Sequence, residues 1–265
     1  MTQNSNSNLK LTDNCMNVYP QILEAALKGQ KMLAVLIDPD RIDPKKTALL
    51  AAQAAHYGIS FFMVGGSLLT EGEVSQTVKL IKSHARLPVV LFPGHYFHLA
   101  PEADSLFLLS LISGRNPEYL IGQHVAAAPR LRRMDLEVIP TGYMLVLCDN
   151  LTTVSYVSQT LPIPYEKAEV AANTALAGEY LGMRLAYLDG GSGAAKPISP
   201  RMIRTVKQSI NIPLIIGGGI RTPEALHMAF AAGADVVVVG TRLEEEPALI
   251  ADFAAVLHQF NKKKV

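Results

Sequence analysis

Cysteine is scarce in this chain, and the two cysteines that it contains are far apart. Cys15 and Cys148 show no metal-ligand spacing and are too few to form a disulfide framework. A disulfide-stabilised fold and a cysteine-based metal site are therefore not expected. This cysteine usage instead indicates reduced thiols and a cytoplasmic location.

Charged residues and long apolar stretches are also limited. Charged side chains make up 18% of the residues, the net charge is +1, and no basic stripe is present. This balance argues against nucleic acid as a partner. No apolar run approaches the ~20 residues that a bilayer-spanning helix needs. Residues 1–16 begin with a polar, Asn- and Ser-rich stretch without a signal-peptide layout, which predicts a flexible tail on a soluble protein.

Hydrophobic residues are plentiful, at 49% of a 265-residue chain, and they are arranged in a regular alternation. Eight short apolar runs alternate with amphipathic stretches, and near-continuous apolar strands indicate a parallel sheet covered on both faces. The runs are residues 32–37, 59–64, 89–92, 105–109, 142–147, 185–188, 214–216 and 236–239. Eight such units in a chain of this length predict one TIM (β/α)8-type barrel domain over residues 17–261.

Two segments depart from this regular alternation. Residues 93–103 contain Pro93, Gly94, two histidines and two aromatic residues, and are too short and broken for a full helix. The third helix is therefore predicted to be reduced to an irregular loop that opens one side of the barrel wall. Residues 19–28 predict a short helix before the first strand, placed across the bottom of the barrel.

Small residues follow the last three predicted strands. The clusters are residues 190–193, residues 217–219 and the pair Gly240-Thr241. Loops without side chains let backbone N–H groups approach an oxyanion, and barrel enzymes frequently bind a substrate phosphate at this place. The clusters therefore predict a phosphate-binding cup at the barrel mouth. The alternative is that these glycines only permit tight turns.

Two carboxylates stand at the carboxyl ends of strands, where they face a barrel's active site. Asp38 ends the first strand and can bind Mg²⁺ or act as a base, with Ser67 from the second strand as a further oxygen donor. Asp189 ends the sixth strand on the same face as Tyr187, and is placed to accept a proton from a bound hydroxyl. The alternative for each aspartate is a capping or turn role, which Asp40 and Asp43 fit better than Asp38 because they lie nearer the helix predicted from Pro44.

Taken in order, these motifs resemble the geranylgeranylglyceryl phosphate synthase family of ether-lipid prenyltransferases, which is related to heptaprenylglyceryl phosphate synthase. The resemblance runs from about residue 19 to residue 260. Its motifs are Asp38-Pro39-Asp40, Gly65-Gly66-Ser67, Phe92-Pro93-Gly94, Ala103-Asp104, Ser110-Leu111, residues 187–193, residues 217–221 and Gly240-Thr241. Generic phosphate-binding barrels share only the last two of these glycine loops.

The resemblance implies Mg²⁺-dependent transfer of a geranylgeranyl group from its diphosphate to the 3-hydroxyl of sn-glycerol 1-phosphate. It places Mg²⁺ on Asp38 and Ser67 against the diphosphate, and assigns Asp189 and Tyr187 to catalysis. The residues that it assigns to glycerol phosphate are Tyr187, Leu188, Asp189, Gly190, Gly191, Ser192, Gly193, Gly218, Gly219, Gly240 and Thr241. It also implies a homo-oligomer, either dimer or hexamer, and allows peripheral membrane contact. Residues 122–129 and Tyr143 are candidates for the subunit interface.

Two positions differ from the family pattern, and several functions stay open. Asp189 stands where the family usually has Glu, one methylene longer, and Arg41 replaces the expected Lys. The nearest alternative is the same reaction with a longer, heptaprenyl donor. A phosphosugar isomerase or indole-type synthase would need a second acid or base beside Asp189. A non-catalytic phosphate-binding barrel is the third alternative.

Overall fold

The computed structural model describes residues 17–262, so the predicted tail at residues 1–16 lies outside the described part of the chain. Eight parallel strands close into a barrel, because β4 pairs with β5 in addition to its neighbour β3. The barrel strands are β1 (Met32–Ile37), β2 (Phe61–Val64), β3 (Val89–Leu91), β4 (Ser105–Leu111), β5 (Glu137–Leu147), β7 (Leu185–Asp189), β8 (Leu214–Gly217) and β9 (Val236–Val239). The predicted (β/α)8-type barrel is confirmed.

Helices cover the outside of the barrel. They are α1 (Val18–Leu27), α2 (Pro44–Ala54), α3 (Val74–His84), α4 (Gln123–Leu131), α5 (Thr153–Ser158), α6 (Ala168–Tyr180), α7 (Pro200–Ser209), α8 (Pro223–Ala232), α9 (Thr241–Glu245) and α10 (Ile250–Lys262). Helices α2, α7 and α8 each begin with proline, and the side chains of Asp43, Ser199 and Thr222 cap their first amides. None of the helices within residues 17–262 is both long and apolar enough to cross a membrane.

Residues 93–103, between β3 and β4, contain no helix, as predicted. The next connection is also unusual, since a π-helical turn at Glu118–Gly122 precedes α4. The sequence did not predict α5 or the two-residue strand β6 (Ile163–Pro164), which pairs with the end of β5 outside the closed barrel. The irregular third connection leaves a gap in the helical layer on this side.

Side chains of the barrel strands alternate between two apolar layers. In β1, Leu33, Val35 and Ile37 pack outward against the helices, whereas Met32 and Ala34 point into the barrel. Bulky residues fill the interior, among them Phe61, Phe107, Tyr143 and Tyr187. The barrel is therefore a packed core, and space for a ligand is left at its ends.

Helix α1 closes the end of the barrel where the strands begin. Its Val18 and Ile22 are buried in the interior cluster. Glu137, the first residue of β5, accepts hydrogen bonds from the backbone amides of Val18 (2.5 Å) and Tyr19 (3.2 Å). This carboxylate replaces the cap that the Asn17 side chain does not provide. The predicted bottom helix is confirmed, and the opposite end is left for the site.

Candidate active site

A cavity opens where the strands end. It brings together most of the residues that the sequence assigns to the site. Those that line it are Asp38, Ser67, Tyr187, Asp189, Gly191, Ser192, Gly193, Gly218, Gly219, Gly240 and Thr241. Residues from the loops after β1, β2, β7, β8 and β9 thus meet around one space.

Two predicted residues do not line this cavity. Leu188 has an exposed fraction of 0% and packs in the outer layer between strands and helices, because it points away from Tyr187 and Asp189. The amide of Gly190 donates to the Gly217 carbonyl oxygen at 3.1 Å, so it already has a partner. The Leu188 side chain therefore lies away from the cavity, and the Gly190 amide is bonded within the glycine loops.

The glycine loops lie so close together that side chains are excluded. Gly218 has a φ of +78°, and a Cβ atom there would lie 2.6 Å from the Gly190 amide nitrogen. A Cβ atom on Gly219 would lie 2.4 Å from the Lys196 carbonyl oxygen, and one on Gly191 would lie 2.6 Å from the Thr152 hydroxyl. The glycines are therefore required by packing as well as by turn geometry, and they leave backbone around the cavity.

Asp189 is buried at the base of the cavity and both of its carboxylate oxygens are engaged. One accepts from the Tyr143 hydroxyl at 2.7 Å and the other from the Gly191 amide at 2.7 Å. Burial raises the pKa of Asp189, while these two hydrogen bonds oppose the rise. Asp189 is therefore a carboxylate that is shielded from water, and this increases its affinity for a proton.

Tyr143 is a site residue that the sequence analysis placed wrongly at a subunit interface. It lies inside the barrel on β5, directly opposite Tyr187 in the strand register, and it is buried. The ring of Phe92 stacks on Tyr187 at 5.2 Å and meets Tyr143 edge-on at 5.8 Å. The two-residue period of a strand allowed Tyr143 to point either into the barrel or towards the helices. Only the pairing of β5 with β7 decides between these orientations.

On the other side of the cavity, Asp38 begins a short turn and faces the loop after β2. Its carboxylate accepts from the Asp40 amide at 3.1 Å and lies 3.7 Å from the Arg41 guanidinium. Burial raises the pKa of Asp38, although the Asp40 amide and the Arg41 charge oppose it. A Cβ atom on Gly66 would approach this carboxylate to 3.1 Å, so glycine keeps the space beside Asp38 open next to Ser67.

Glu244 is a second acidic group at this side that the sequence analysis did not single out. Its carboxylate accepts from the Asp38 amide at 2.9 Å. Burial raises the pKa of Glu244 to about 7. The signal in the sequence was weak, because Glu244, Glu245 and Glu246 form a run that reads as a solvated helix end. Of the two aspartates predicted for a capping role, Asp43 caps α2 and Asp40 does not.

An apolar groove leads away from the cavity through the gap in the helical layer. It shares Gly66, Ser67 and Phe92 with the cavity. Its apolar lining includes Leu99, Leu106, Leu108, Leu109, Leu111, Ala127, Val154 and Val157. His95 and His124 also line it, and His124 bonds the Leu109 carbonyl oxygen at 2.8 Å. The irregular segment thus forms one wall of a long apolar site.

The cavity and the apolar groove adjoin at the mouth of the barrel, and comparison with known proteins shows to which family this barrel belongs. A model of the PcrB family matches residues 27–257. The chain belongs to this family. The resemblance of the motifs to the geranylgeranylglyceryl phosphate synthase family is confirmed, because curated relatives carry that name.

Two curated relatives of this PcrB-family chain come from different domains of life. Geranylgeranylglyceryl phosphate synthase of Spirosoma linguale is 48% identical over 239 residues, 90% of this chain and 96% of the relative. The Thermococcus kodakarensis enzyme of the same name is 44% identical over 220 residues, 83% of this chain and 86% of the relative. Both alignments therefore span nearly the whole barrel.

A solved structure shows the same architecture around a ligand. The (S)-3-O-geranylgeranylglyceryl phosphate synthase of Thermoplasma acidophilum, in complex with its substrate sn-glycerol-1-phosphate, superimposes with a TM-score of 0.85. It is 35% identical, and the match covers 93% of this chain and 99% of that chain. The fold is thus shared with an enzyme that binds a glycerol phosphate.

Proposed function

We propose that this protein transfers a geranylgeranyl group from its diphosphate to the 3-hydroxyl of sn-glycerol 1-phosphate. The observation that carries the proposal is the junction of the two spaces. A cavity walled by glycine loops and an apolar groove meet at Gly66, Ser67 and Phe92, with Asp189 lining the cavity and its partner Tyr143 lining the groove. Such a junction fits one small phosphorylated substrate and one long apolar substrate whose reacting ends must meet.

In this proposal the backbone amides of the glycine loops bind the phosphate of the glycerol substrate. The 3-hydroxyl then faces Asp189, which accepts its proton as the oxygen forms the new C–O bond. The C–O bond between the prenyl group and diphosphate breaks at the same carbon, and diphosphate leaves with the bonding electrons. Atoms and charge therefore balance without an oxidant or a reductant.

The aromatic rings at the junction suit the charge that develops in this step. Breaking an allylic C–O bond leaves positive charge on the prenyl carbon, and the faces of Phe92, Tyr143 and Tyr187 are electron-rich. The burial of these three rings also keeps water from the carbon that the glycerol hydroxyl must reach. We assign Tyr187 this role rather than that of a base, because burial raises the pKa of its hydroxyl well above the usual value.

Asp38 and Ser67 fit the Mg²⁺ ion that the family resemblance implies. Both supply oxygen atoms, which this cation prefers, and glycine at position 66 keeps the space beside the Asp38 carboxylate open. No group of three metal-binding side chains occurs among residues 17–262. Mg²⁺ usually takes one or two protein ligands and completes its shell with substrate phosphates and water. When bound, it would offset negative charge on the departing diphosphate.

A longer donor is the second candidate, because the apolar groove continues through the gap in the helical layer towards Val157 and Ser158. An assay with C15, C20 and C35 diphosphates, labelled sn-glycerol 1-phosphate and Mg²⁺ distinguishes the two. We expect an ether product with the C20 donor and none in EDTA. Preference for the C35 donor favours the heptaprenyl alternative. Glycerol phosphate binding without product from any donor contradicts prenyl transfer and favours a binding protein.

Substitution of Asp38 tests the metal site of the proposal. We expect Asp38→Asn to lose at least ~100-fold in kcat, since a neutral amide holds Mg²⁺ poorly, while the circular dichroism spectrum stays that of the wild type. The KM for glycerol phosphate should change little, because the glycine loops lie on β7, β8 and β9. Unchanged turnover would remove Asp38 from the metal site.

We further infer a cytoplasmic homo-oligomer, dimer or hexamer, with peripheral membrane contact for its lipid product. Val125 supports a subunit interface, because it is 66% exposed within the predicted segment 122–129, and Ile121 just before that segment is 58% exposed. Light scattering on the purified protein measures the mass of the assembly. Flotation with vesicles, with and without donor, measures membrane contact. A monomer at micromolar concentration contradicts the oligomer.

A further inference from the structure

Asp40 lies two residues after Asp38, but its side chain turns to a different loop. The carboxylate accepts four hydrogen bonds from three consecutive residues of the loop between β2 and α3. One oxygen accepts from the Thr70 amide at 2.8 Å and the Thr70 hydroxyl at 2.9 Å. The other accepts from the amides of Glu71 at 3.2 Å and Gly72 at 2.7 Å.

These four bonds leave Asp40 without capacity to bind anything else. An ionised carboxylate offers about four lone-pair sites. The loop uses two on each oxygen of Asp40, although the residue lies at the edge of the cavity. The Asp40 carboxylate thus holds the loop in place through hydrogen bonds and is not a ligand of a cation.

Close backbone contacts show that the same loop is seated directly on the turn that carries Asp38 and Asp40. A Cβ atom on Gly72 would lie 2.3 Å from the Pro39 carbonyl carbon, and one on Gly66 would lie 3.1 Å from the Asp38 carboxylate. Asp38 in turn accepts from the Asp40 amide at 3.1 Å. The turn and the loop therefore form one packed unit with Asp38 and Ser67 on its cavity side.

We propose that Asp40 is a positioning residue that holds Ser67 opposite Asp38 and thereby sets the affinity of this pair for Mg²⁺-diphosphate. The inference rests on the proposed function, because it assumes that the two residues bind this species. Groups that orient metal ligands typically change metal affinity by about 10–100-fold when they are removed. The glycine loops lie on other strands and should be unaffected.

The test compares two alanine variants from the same short segment. Asp40→Ala removes all four bonds to the loop, whereas Asp43→Ala removes two bonds to the amides of Lys45 and Lys46 at the start of α2. Titration calorimetry with Mg²⁺ and inorganic diphosphate measures the affinity of each protein. We expect a loss of about 10–100-fold for Asp40→Ala and less than threefold for Asp43→Ala.

Two further measurements separate positioning from general stability. The KM for sn-glycerol 1-phosphate should stay within threefold in Asp40→Ala, while the Mg²⁺ concentration for half-maximal rate rises with the calorimetric Kd. Thr70→Val removes the single side-chain donor and keeps the three backbone bonds, so its effect should be small. Both alanine variants are expected to lower the melting temperature, because each loses hydrogen bonds at its turn.

The outcomes distinguish this inference from the proposed function. If the wild type makes the ether product and Asp40→Ala binds Mg²⁺-diphosphate as tightly as the wild type, the inference alone is overturned. The inference alone is also overturned if Asp43→Ala loses as much affinity as Asp40→Ala. A loss of glycerol phosphate binding as large as the loss of Mg²⁺-diphosphate binding also overturns it, since that indicates general unfolding. A Mg²⁺-diphosphate affinity that falls in Asp40→Ala but not in Asp43→Ala, in a protein whose wild type makes no ether product, supports the inference and contradicts the proposed function.

Discussion

Asp189 and Tyr143 meet in the barrel interior, where one hydrogen bond influences when the carboxylate can accept a proton. The bond is 2.7 Å long and both side chains are buried. Burial raises the pKa of the Asp189 carboxyl, and the Tyr143 hydroxyl acts against this by stabilising the ionised form. In the proposed role of Asp189 as the base, which must be ionised to work, the tyrosine would extend activity towards lower pH.

Tyr143→Phe should therefore shift the pH dependence of catalysis. Without the hydroxyl, the pKa of Asp189 rises further, so the acid limb of the kcat/KM profile moves to higher pH. We also expect a loss of ~1–2 kcal/mol in the free energy of unfolding, because a buried carboxylate loses a partner. Rates measured between pH 5 and 9 test this. An acid limb that stays in place or moves to lower pH contradicts the assignment of Asp189 as the base.

At the scale of single residues, the sequence predicts those site residues whose type and place directly after a strand indicate that they face the cavity. Asp38 and Asp189 follow apolar strands, and glycines that follow strands mark the backbone loops of the cavity. Tyr143 and Glu244 could not be found in the same way. Each lies within an otherwise ordinary strand or charge run, and each gains its role from a partner distant in the chain, Asp189 and Asp38 respectively.

Among the elements, the loops after β7 and β8 are packed against each other through glycine, and this predicts unequal effects of alanine. Gly218 and Gly193 have the same φ of +78°. A Cβ atom on Gly218 would clash with the Gly190 amide nitrogen at 2.6 Å, whereas one on Gly193 would meet nothing within 4 Å. Backbone strain is thus similar at the two positions, but available space is not.

Gly218→Ala should lower the free energy of unfolding by more than ~3 kcal/mol and abolish glycerol phosphate binding, since strain and overlap add. Gly193→Ala is the matched control and should cost about 1–2 kcal/mol from strain alone. Urea denaturation and calorimetry with sn-glycerol 1-phosphate measure both effects. Equal losses in the two variants contradict the packing explanation.

The bottom helix depends on one carboxylate in place of a cap. Glu137 accepts from the Val18 and Tyr19 amides and from the Ser105 hydroxyl. Glu137→Ala should lower the free energy of unfolding by about 1–3 kcal/mol, because these donors lose their acceptor. Glu137→Gln retains one oxygen acceptor and should lose less. Activity at saturating substrate should change less than twofold, and a large loss of kcat contradicts the separation of helix α1 from the site.

Strands and helices could be predicted where the apolar periodicity and the helix-breaking residues indicate the same boundaries. All eight barrel strands and the absence of a helix at residues 93–103 follow from apolar runs and prolines in the sequence. Strand β5 begins at Glu137, earlier than the predicted residue 142, because pairing with β4 and burial of α1 extend it. The short elements α5 and β6 depend on contacts with the barrel mouth rather than on local pattern.

Across the whole molecule, a polar cavity and an apolar groove lie side by side, and in the proposed function each would bind one of the two substrates. The gap at residues 93–103 leaves apolar side chains of β4 and α4 facing the groove rather than a covering helix. A prenyl chain bound there would remove apolar surface from water in the folded state alone. Such binding must stabilise the fold by mass action.

A non-reacting prenyl diphosphate analogue should therefore raise the melting temperature, and more so for a longer chain. Each buried methylene contributes about 0.8 kcal/mol to binding until the groove is full. Differential scanning calorimetry with C5, C10, C15 and C20 analogues measures the trend, with inorganic diphosphate as the control. Equal shifts for diphosphate and for the C20 analogue contradict binding of the chain in the groove.

Closure of one end by α1 also has a kinetic consequence. In the proposed reaction, both substrates and both products would enter and leave on the mouth side of the barrel, through the cavity or the adjoining groove, since Val18 and Ile22 fill the other end. Release of the lipid product then delays binding of the next donor, so product release becomes the rate-limiting step of turnover. A nearby bilayer that takes up the lipid would act as a sink and accelerate the cycle without touching the chemistry.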